Sequence, residues 1–286
     1  MQIALTGANG FVGREVLRQI EQDGQAPVPV VRKPAGLAGE LAVGDLADGA
    51  LTSEALAGCG AVIHLAARTH VMNETASDPM AEYRRTNVEG TARLLDAAIG
   101  AGVRRFVFMS SVKAVGEWSR PGEPLVPETS PRPEDDYGKS KLEAENLVRE
   151  QCEAAGVEWV ILRPPLVHGI GVKGNMQRLA GLVRRGIPLP VGAVRNARSV
   201  VAVRNLAAAA IAATHAPEAA GKVLHIADLA LSTPELVREL GRSMDRKPVL
   251  PPGPPALMSA AAKLAGRSEE ARRLLGSLEL DSEDSW

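Results

Sequence analysis

Tyr137 and Lys141 stand four positions apart in the run Tyr137-Gly138-Lys139-Ser140-Lys141. On a helix that spacing projects both side chains from one face. A phenol titrates at ~10 when unperturbed. A neighbouring ammonium, and the positive charge of an oxidised nicotinamide, would lower that value towards neutrality. Such a phenol takes a hydroxyl proton as hydride leaves the same carbon, or returns one in the opposite direction. The chemistry expected of the pair is therefore interconversion of an alcohol and a ketone. Only two tyrosines, Tyr83 and Tyr137, occur in a chain with 3% aromatic residues, so each needs a reason. For Tyr83 only a packing role suggests itself. Phe108-Met109-Ser110-Ser111 offers a further hydroxyl at a strand end, placed to hydrogen-bond the substrate oxygen. Ser111 is the first choice and Ser110 the alternative.

Hydride chemistry needs a carrier, and the N-terminus supplies a site for one. Thr6-Gly7-Ala8-Asn9-Gly10-Phe11-Val12-Gly13 has glycines at 7, 10 and 13, follows a strand and opens a helix. The first glycine permits the tight turn, the second lets backbone N–H groups approach a pyrophosphate, and the third lets helix and strand pack closely. The helix N-terminus adds partial positive charge. Gly7, Asn9, Gly10, Phe11, Val12 and Gly13 are thus expected to hold a dinucleotide. A carboxylate after the second strand would read a ribose 2′-hydroxyl and select NAD. Here that strand runs into Arg32-Lys33, which suits a 2′-phosphate and tilts the expectation towards NADP over NAD. Asp45 and Leu46, after the third strand, are placed to contact adenine.

These groups can meet only if the chain brings strand ends to one edge. Strands are expected over 3–6, 28–31, 41–43, 61–65, 106–109 and 157–162, and helices over 11–21, 79–101 and 137–155. Repeated βα units imply a parallel sheet with helices on both faces, and right-handed crossovers make it doubly wound. Regularity breaks at Pro164-Pro165 and over 169–174. Helices over 176–185 and 203–215 and a strand over 223–226 follow. Thr233 is expected to cap a further helix with Pro234 in its first turn, and the tail ends in two short helical stretches. The expected division is an α/β dinucleotide-binding domain over 1–163, with some later segments returning to it. A smaller substrate-binding lobe would cover 164–286.

Glycine loop, strand-end serines and Tyr137/Lys141 together resemble the extended short-chain dehydrogenase/reductase superfamily, and within it the nucleotide-sugar epimerase/dehydratase branch. His64-Leu65-Ala66-Ala67, Thr86-Asn87-Val88-Glu89-Gly90-Thr91 and the segment Arg198-Ser199-Val200-Val201 match as well, so that the resemblance spans about residues 1–240. It implies that Leu65, Ala66, Ala67, Asn87 and Pro164 lie near the cofactor and that Arg198 contacts a substrate diphosphate. It also implies a homodimer through the helices over 79–101 and 137–155. The 4,6-dehydratases of this branch place an Asp-Glu pair directly after the catalytic hydroxyl. Here Val112 and Lys113 stand there, which argues against a dehydratase. The runs 67–72 and 169–175 resemble a subgroup of UDP-sugar 4-epimerases and UDP-4-keto-6-deoxy-sugar 4-reductases from bacterial surface-polysaccharide pathways. Lys113 fits that subgroup and is expected at the substrate. Asn175 either caps a helix or contacts substrate.

Composition narrows the remaining classes. Lys plus Arg number 33 against 34 Asp plus Glu, for a net charge of −1, so no basic excess points to nucleic acid. With 45% apolar residues the chain can bury a core. Cys59 and Cys152 form no disulfide framework, and the five histidines show no metal-ligand spacing. The N-terminus starts a strand at once, and the most apolar window, 206–213, is too short to span a bilayer, which needs ~20 residues. A cytoplasmic protein without a membrane partner is expected. A reductase acting at C4 of a UDP-4-keto-6-deoxy-hexose is the favoured activity, and a UDP-sugar 4-epimerase using retained NAD is the alternative. A reductase of a non-sugar ketone fits Arg198 poorly, and a non-enzymatic cofactor sensor would have no need of Tyr137 and Lys141.

Overall fold

The computed structural model describes residues 1–69, 76–264, 266 and 268–283. The strands are β1 (Gln2–Thr6), β2 (Pro27–Val31), β3 (Leu41–Ala42), β4 (Cys59–His64), β5 (Arg105–Met109), β6 (Glu158–Arg163), β7 (Leu166–His168), β8 (Arg198–Ala202), β9 (Lys222–His225) and β10 (Leu229–Leu231). The helices are α1 (Phe11–Gln22), α2 (Pro79–Arg84), α3 (Gly90–Gly100), α4 (Asp136–Ala155), α5 (Asn175–Arg184), α6 (Val203–Ala212), α7 (Thr233–Ser243), α8 (Pro255–Leu264) and α9 (Ser268–Leu275). Seven strands make one sheet in the order β3-β2-β1-β4-β5-β6-β9, every pairing parallel. The second sheet, β10-β8-β7, is smaller.

Side chains in a strand alternate between faces, and this sheet is apolar on both, as a parallel sheet with helices on either side requires. Ile3, Leu5, Ile63, Val107, Val160 and Leu162 face one layer with Val16, Leu17 and Ile20 of α1 and Leu206 and Ile211 of α6. Ala4, Val62, Phe106, Phe108 and Ile161 face the other, with Leu94 and Leu95 of α3 and Ala144, Val148 and Cys152 of α4. Cys152 is thus a core filler. β9 and α6 come from the second half of the chain and complete the main sheet. The C-terminal stretch runs back along β8: Leu278 N–H donates to Ala197 O and Ser199 N–H to Leu278 O, while Leu125 N–H donates to Glu279 O. No described helix is long and apolar enough to cross a membrane.

Three local expectations need correction. The helix over 79–101 is interrupted: residues Arg85–Glu89 form a π turn between α2 and α3, a wider turn that often marks a functional site. Its buried residue is Asn87, whose side chain is turned to partners outside the helix. At α7 the cap is Ser232, not Thr233. Ser232 accepts from Glu235 N–H while the Glu235 carboxylate accepts from Ser232 N–H, a reciprocal capping box. Thr233 instead is buried, bonded to Asn196 and to Leu274 O. At α5 the cap position belongs to Gly174, with φ 71°, and no side chain caps the helix. Asn175 is its first residue and does not act as a cap.

Candidate active site

The strand order reverses direction at β1, between β2 and β4, and the glycine loop leaves the sheet at that point. Ligands of such sheets bind at the carboxyl ends of the strands beside this reversal. Gly7 has φ +67°, and a Cβ there would lie 2.8 Å from Ala66 N. A Cβ on Gly13 would come within 2.1 Å of Gly7 O, so only glycine lets α1 close on the loop. Gly10 N–H donates to Gly7 O at 2.9 Å. The first turn of α1 carries neither a side-chain cap nor an acidic residue. Its leading N–H groups thus point out of a bare glycine surface, which fits a dinucleotide pyrophosphate. The Phe11 ring packs towards Gly169 and Gly171, where added Cβ atoms would lie 3.7 and 3.9 Å from it. Val12 packs against the core layer of α1, and Asn9 O accepts from Arg14 Nε at 3.1 Å.

Residues after β2 and β3 frame the outer end of this groove. Arg32 is exposed and makes no hydrogen bond or ion pair among the described residues. Asp45 is already partnered: one oxygen accepts from Ala47 N–H at 3.0 Å and the other from Arg85 at 2.8 Å. Burial works to raise its carboxyl, but the Ala47 N–H and Arg85 hold it below the usual range. Leu46 lies beside Gly90 at the start of α3.

A buried polar chain, which sequence reasoning did not single out, ties the loop after β4 to the π turn. Thr6 Oγ1 accepts from Leu65 N–H and Ala66 N–H and bonds His64 Nδ1 at 2.6 Å. His64 Nε2 meets Thr91 Oγ1 at 2.9 Å, and the Thr91 hydroxyl donates to Asn87 O at 2.6 Å. Because Thr91 spends its proton on Asn87, His64 must donate from Nε2 and accept at Nδ1. Burial, helped by the charge of Lys141, pushes His64 down to about 3, so it stays neutral. Asn87 then clamps the next segment. Its Oδ1 accepts from Arg68 N–H at 2.8 Å, and its Nδ2 donates to Arg68 O and to Ser140 Oγ. Ala66 and Ala67 lie between these anchored points. The rest of the 67–72 run, His70, Val71 and Met72, lies outside the described residues.

Ser110 and Ser111 part company at the end of β5. Ser110 continues the alternation of Phe106 and Phe108 and turns into the buried layer, where it donates to Glu145 Oε1 at 2.5 Å. Ser111 lies beside the Tyr137 phenol, close enough to lower its pKa. Glu145 is fully buried and paired with Arg163 through two hydrogen bonds of 2.6 and 2.9 Å. Lys141, one helical turn before Glu145, is buried with Nζ 3.9 Å from the Phe108 ring centroid. Its ammonium is pushed down to about 7 by burial, against the pull of Glu145. Tyr137 is pushed up to about 12, first by burial; Ser111 lowers it, and Asp135 and Tyr83 raise it. In the protein alone, Lys141 therefore does not bring the phenol towards neutrality, because desolvation outweighs the nearby charge. The two tyrosines are neighbours, with ring centroids 6.2 Å apart. Tyr83 donates its hydroxyl to Thr69 O and lies under the Arg68 guanidinium, so its packing role is played against Tyr137 itself.

On the substrate side, Pro164 O accepts from Val112 N–H and joins the end of β6 to the turn after Ser111. The Lys113 ammonium is held by Asp135 and by Glu117 at 3.0 Å. Arg198 Nη1 donates to Gly276 O, and its guanidinium lies 6.0 Å from the Trp118 ring, with Arg272 4.5 Å from the same ring. Asn175 is exposed at the start of α5. Trp118, Arg272 and Gly276 carry no spacing signal that would have brought them to Arg198; the fold of the tail does so. Among the described residues no cluster of His, Cys, Asp and Glu could hold a metal ion.

This geometry can be set beside known proteins. A family model described as NAD dependent epimerase/dehydratase family matches residues 3–227. A protein of Vibrio cholerae named UDP-glucose 4-epimerase is 38% identical over 286 aligned residues, covering 98% of this chain and 87% of that one. The solved structure of MoeE5 in complex with UDP-glucuronic acid and NAD superposes with a TM-score of 0.77 at 26% identity, covering 100% of this chain and 91% of that one. A UDP-glucose 4-epimerase of Thermotoga maritima, solved with UDP-glucose, has the same TM-score and coverage at 22% identity, a likeness of fold.

Proposed function

We propose, from the premise that this chain belongs to the NAD dependent epimerase/dehydratase family, that it moves a proton and a hydride at C4 of a UDP-linked hexose, as a 4-epimerase. The observation that carries this is the place of Ser111 beside Tyr137 while Ser110 is withdrawn to Glu145. Of the three candidate hydroxyls it leaves Ser111 and Tyr137 beside one another, at the end of β5 and the start of α4. Ser111 holds the C4 oxygen of the sugar, and Tyr137 takes its proton and later returns it. Lys141, one helical turn on, brings a positive charge to the site when protonated. The nicotinamide, when bound, supplies the hydride acceptor. Gly7, Gly10, Phe11, Val12 and Gly13 would seat its pyrophosphate, and Arg198 the diphosphate of the sugar nucleotide. Elimination of water is disfavoured, since Val112 is buried and the carboxylates of Asp135 and Glu117 are both engaged by Lys113. The Vibrio cholerae relative and the ligands of MoeE5 support a UDP-sugar and NAD.

One observation favours a second reading, reduction of a UDP-4-keto-6-deoxy-hexose. Arg32 stands exposed after β2, with no hydrogen bond or ion pair among the described residues, where a 2′-phosphate of NADPH would lie, and an exchangeable reduced cofactor suits a reductase. The two are separated by incubating the protein with UDP-glucose and UDP-N-acetylglucosamine, and separately with the 4-keto-6-deoxy sugar nucleotide and NADPH or NADH. Products are then read by NMR. Formation of the 4-epimer without net cofactor oxidation is the expected result. Stoichiometric oxidation with the keto sugar, and no epimer, would replace this reading by the reductase. Arg32→Glu is expected to raise the KM for NADPH at least about tenfold relative to NADH, the loss of one charge-assisted hydrogen bond. An unchanged ratio would show that Arg32 does not read the 2′ position.

A further inference from the structure

Lys113 lies next to the catalytic hydroxyls, yet its ammonium points at carboxylates. The turn that carries it, Val112–Ala114, is capped by Ser111, which accepts from Lys113 N–H at 3.2 Å. The same turn is pressed against the start of α4: a Cβ on Gly138 would lie 2.4 Å from Lys113 O. Asp135 caps α4 by accepting from Gly138 N–H at 2.8 Å with one oxygen and gives the other to Lys113 Nζ. Glu117 completes the cluster at 3.0 Å from Lys113, with Arg273 3.5 Å from its second oxygen. The Lys113 side chain is 22% exposed, that of Asp135 25% and that of Glu117 7%, so these charges interact with little screening.

An aspartate is a good helix cap and favours the positive end of the helix dipole. Here it brings a cost, because a negative charge two residues before Tyr137 disfavours the phenolate that must form when the substrate hydroxyl loses its proton. We propose that Lys113 is a positioning residue that neutralises Asp135, docks the start of α4 on the Ser111 turn, and thereby sets the pH at which Tyr137 exchanges its proton. This rests on the reading of Tyr137 as the acid–base group and replaces a substrate contact as the role of Lys113. The other groups around the phenol are Tyr83, with Arg68 over it, from α2 and the loop after β4, and Ser111 after β5, while Lys141 and the Asp136–Lys139 pair lie further along α4. Among them the Asp135–Lys113 pair alone couples the helix cap to the turn of the catalytic serine.

The two-tyrosine composition makes a direct test available. In a Tyr83→Phe background one phenol remains, and its ionisation in the NAD-loaded protein is read by ultraviolet difference absorbance as pH is raised. Lys113→Met is expected to raise the midpoint by about half to one pH unit, and Asp135→Asn, which keeps the cap acceptor, to lower it by a similar amount. The double variant should return close to the parent. An unmoved or lowered midpoint in Lys113→Met overturns the proposal. So does an unmoved or raised midpoint in Asp135→Asn, which serves where Lys113→Met fails to fold. The result is separable from the catalytic reading. A shifted midpoint with an active Tyr137→Phe variant would keep the clamp and remove the mechanism. An unmoved midpoint with an inactive Tyr137→Phe variant would do the reverse.

Discussion

Tyr137→Phe is expected to lower turnover about a thousandfold, the middle of the range for losing a positioned acid–base group and equivalent to ~4 kcal/mol of barrier. Phenylalanine keeps the ring against Tyr83 and loses only the hydroxyl beside Ser111. With the glycine loop as the proposed cofactor site, cofactor affinity should change by less than about threefold, and the melting temperature should fall by no more than the loss of one hydrogen bond, ~1 kcal/mol. Turnover and NAD titration on one preparation decide the matter. Activity within tenfold of the parent would remove Tyr137 from the mechanism, whereas loss of activity together with NAD binding would indicate a collapsed site.

Glu145→Ala should produce the largest loss of stability of any single change at the site. Glu145 accepts from Ser110 and from two nitrogens of Arg163, whose side chain is 2% exposed. Truncating the carboxylate leaves a guanidinium buried without its counter-charge, its remaining described bond being to Pro127 O. Breaking a buried pair from one side costs about 3–5 kcal/mol, which at this chain length corresponds to roughly 5–10 °C in melting temperature. Replacing both partners by apolar residues, as Glu145→Leu with Arg163→Met, should recover much of that loss, because it removes the unpaired charge as well as the attraction. If the single and double variants melt alike, the cost lies in packing and not in the stranded charge. Lys141 should respond too. Glu145 is the group that opposes its loss of charge by burial, so turnover at neutral pH should fall in Glu145→Gln even where the fold survives.

Much of the site was legible before any fold was known, for identifiable reasons. The glycine loop, the Tyr137/Lys141 spacing and the βα alternation are short-range patterns, and backbone sterics translate them directly into local structure. Ser110 and Ser111 show where that translation stops. Two adjacent strand-end serines are equivalent as residues, and only the buried Glu145 on the facing helix takes one of them away from the cleft. With that partner in view, the alternation of Phe106, Phe108 and Ser110 would have pointed the same way. Thr233 and Ser232 differ for a similar reason, since either can cap a helix and the demand of Asn196 for Thr233 selects Ser232. The helix over 79–101 hid its π turn because apolar spacing continues through it, while Asn87 is drawn aside by Arg68 and Ser140.

The two tyrosines divide along the same line. By itself the sequence determined that Tyr137 sits one turn from Lys141 and near a strand-end serine, and that a glycine-bearing turn opens the first helix. Spacing along a helix and a glycine-bearing turn are properties of neighbouring residues. Only the tertiary structure decided that Tyr83 packs on Tyr137, that burial raises the phenol instead of lowering it, and that Lys113 answers Asp135 from 22 positions away. Proton affinity and charge pairing depend on distance and desolvation in space, and residues far apart in the chain acquire both only when the sheet and α4 close around them.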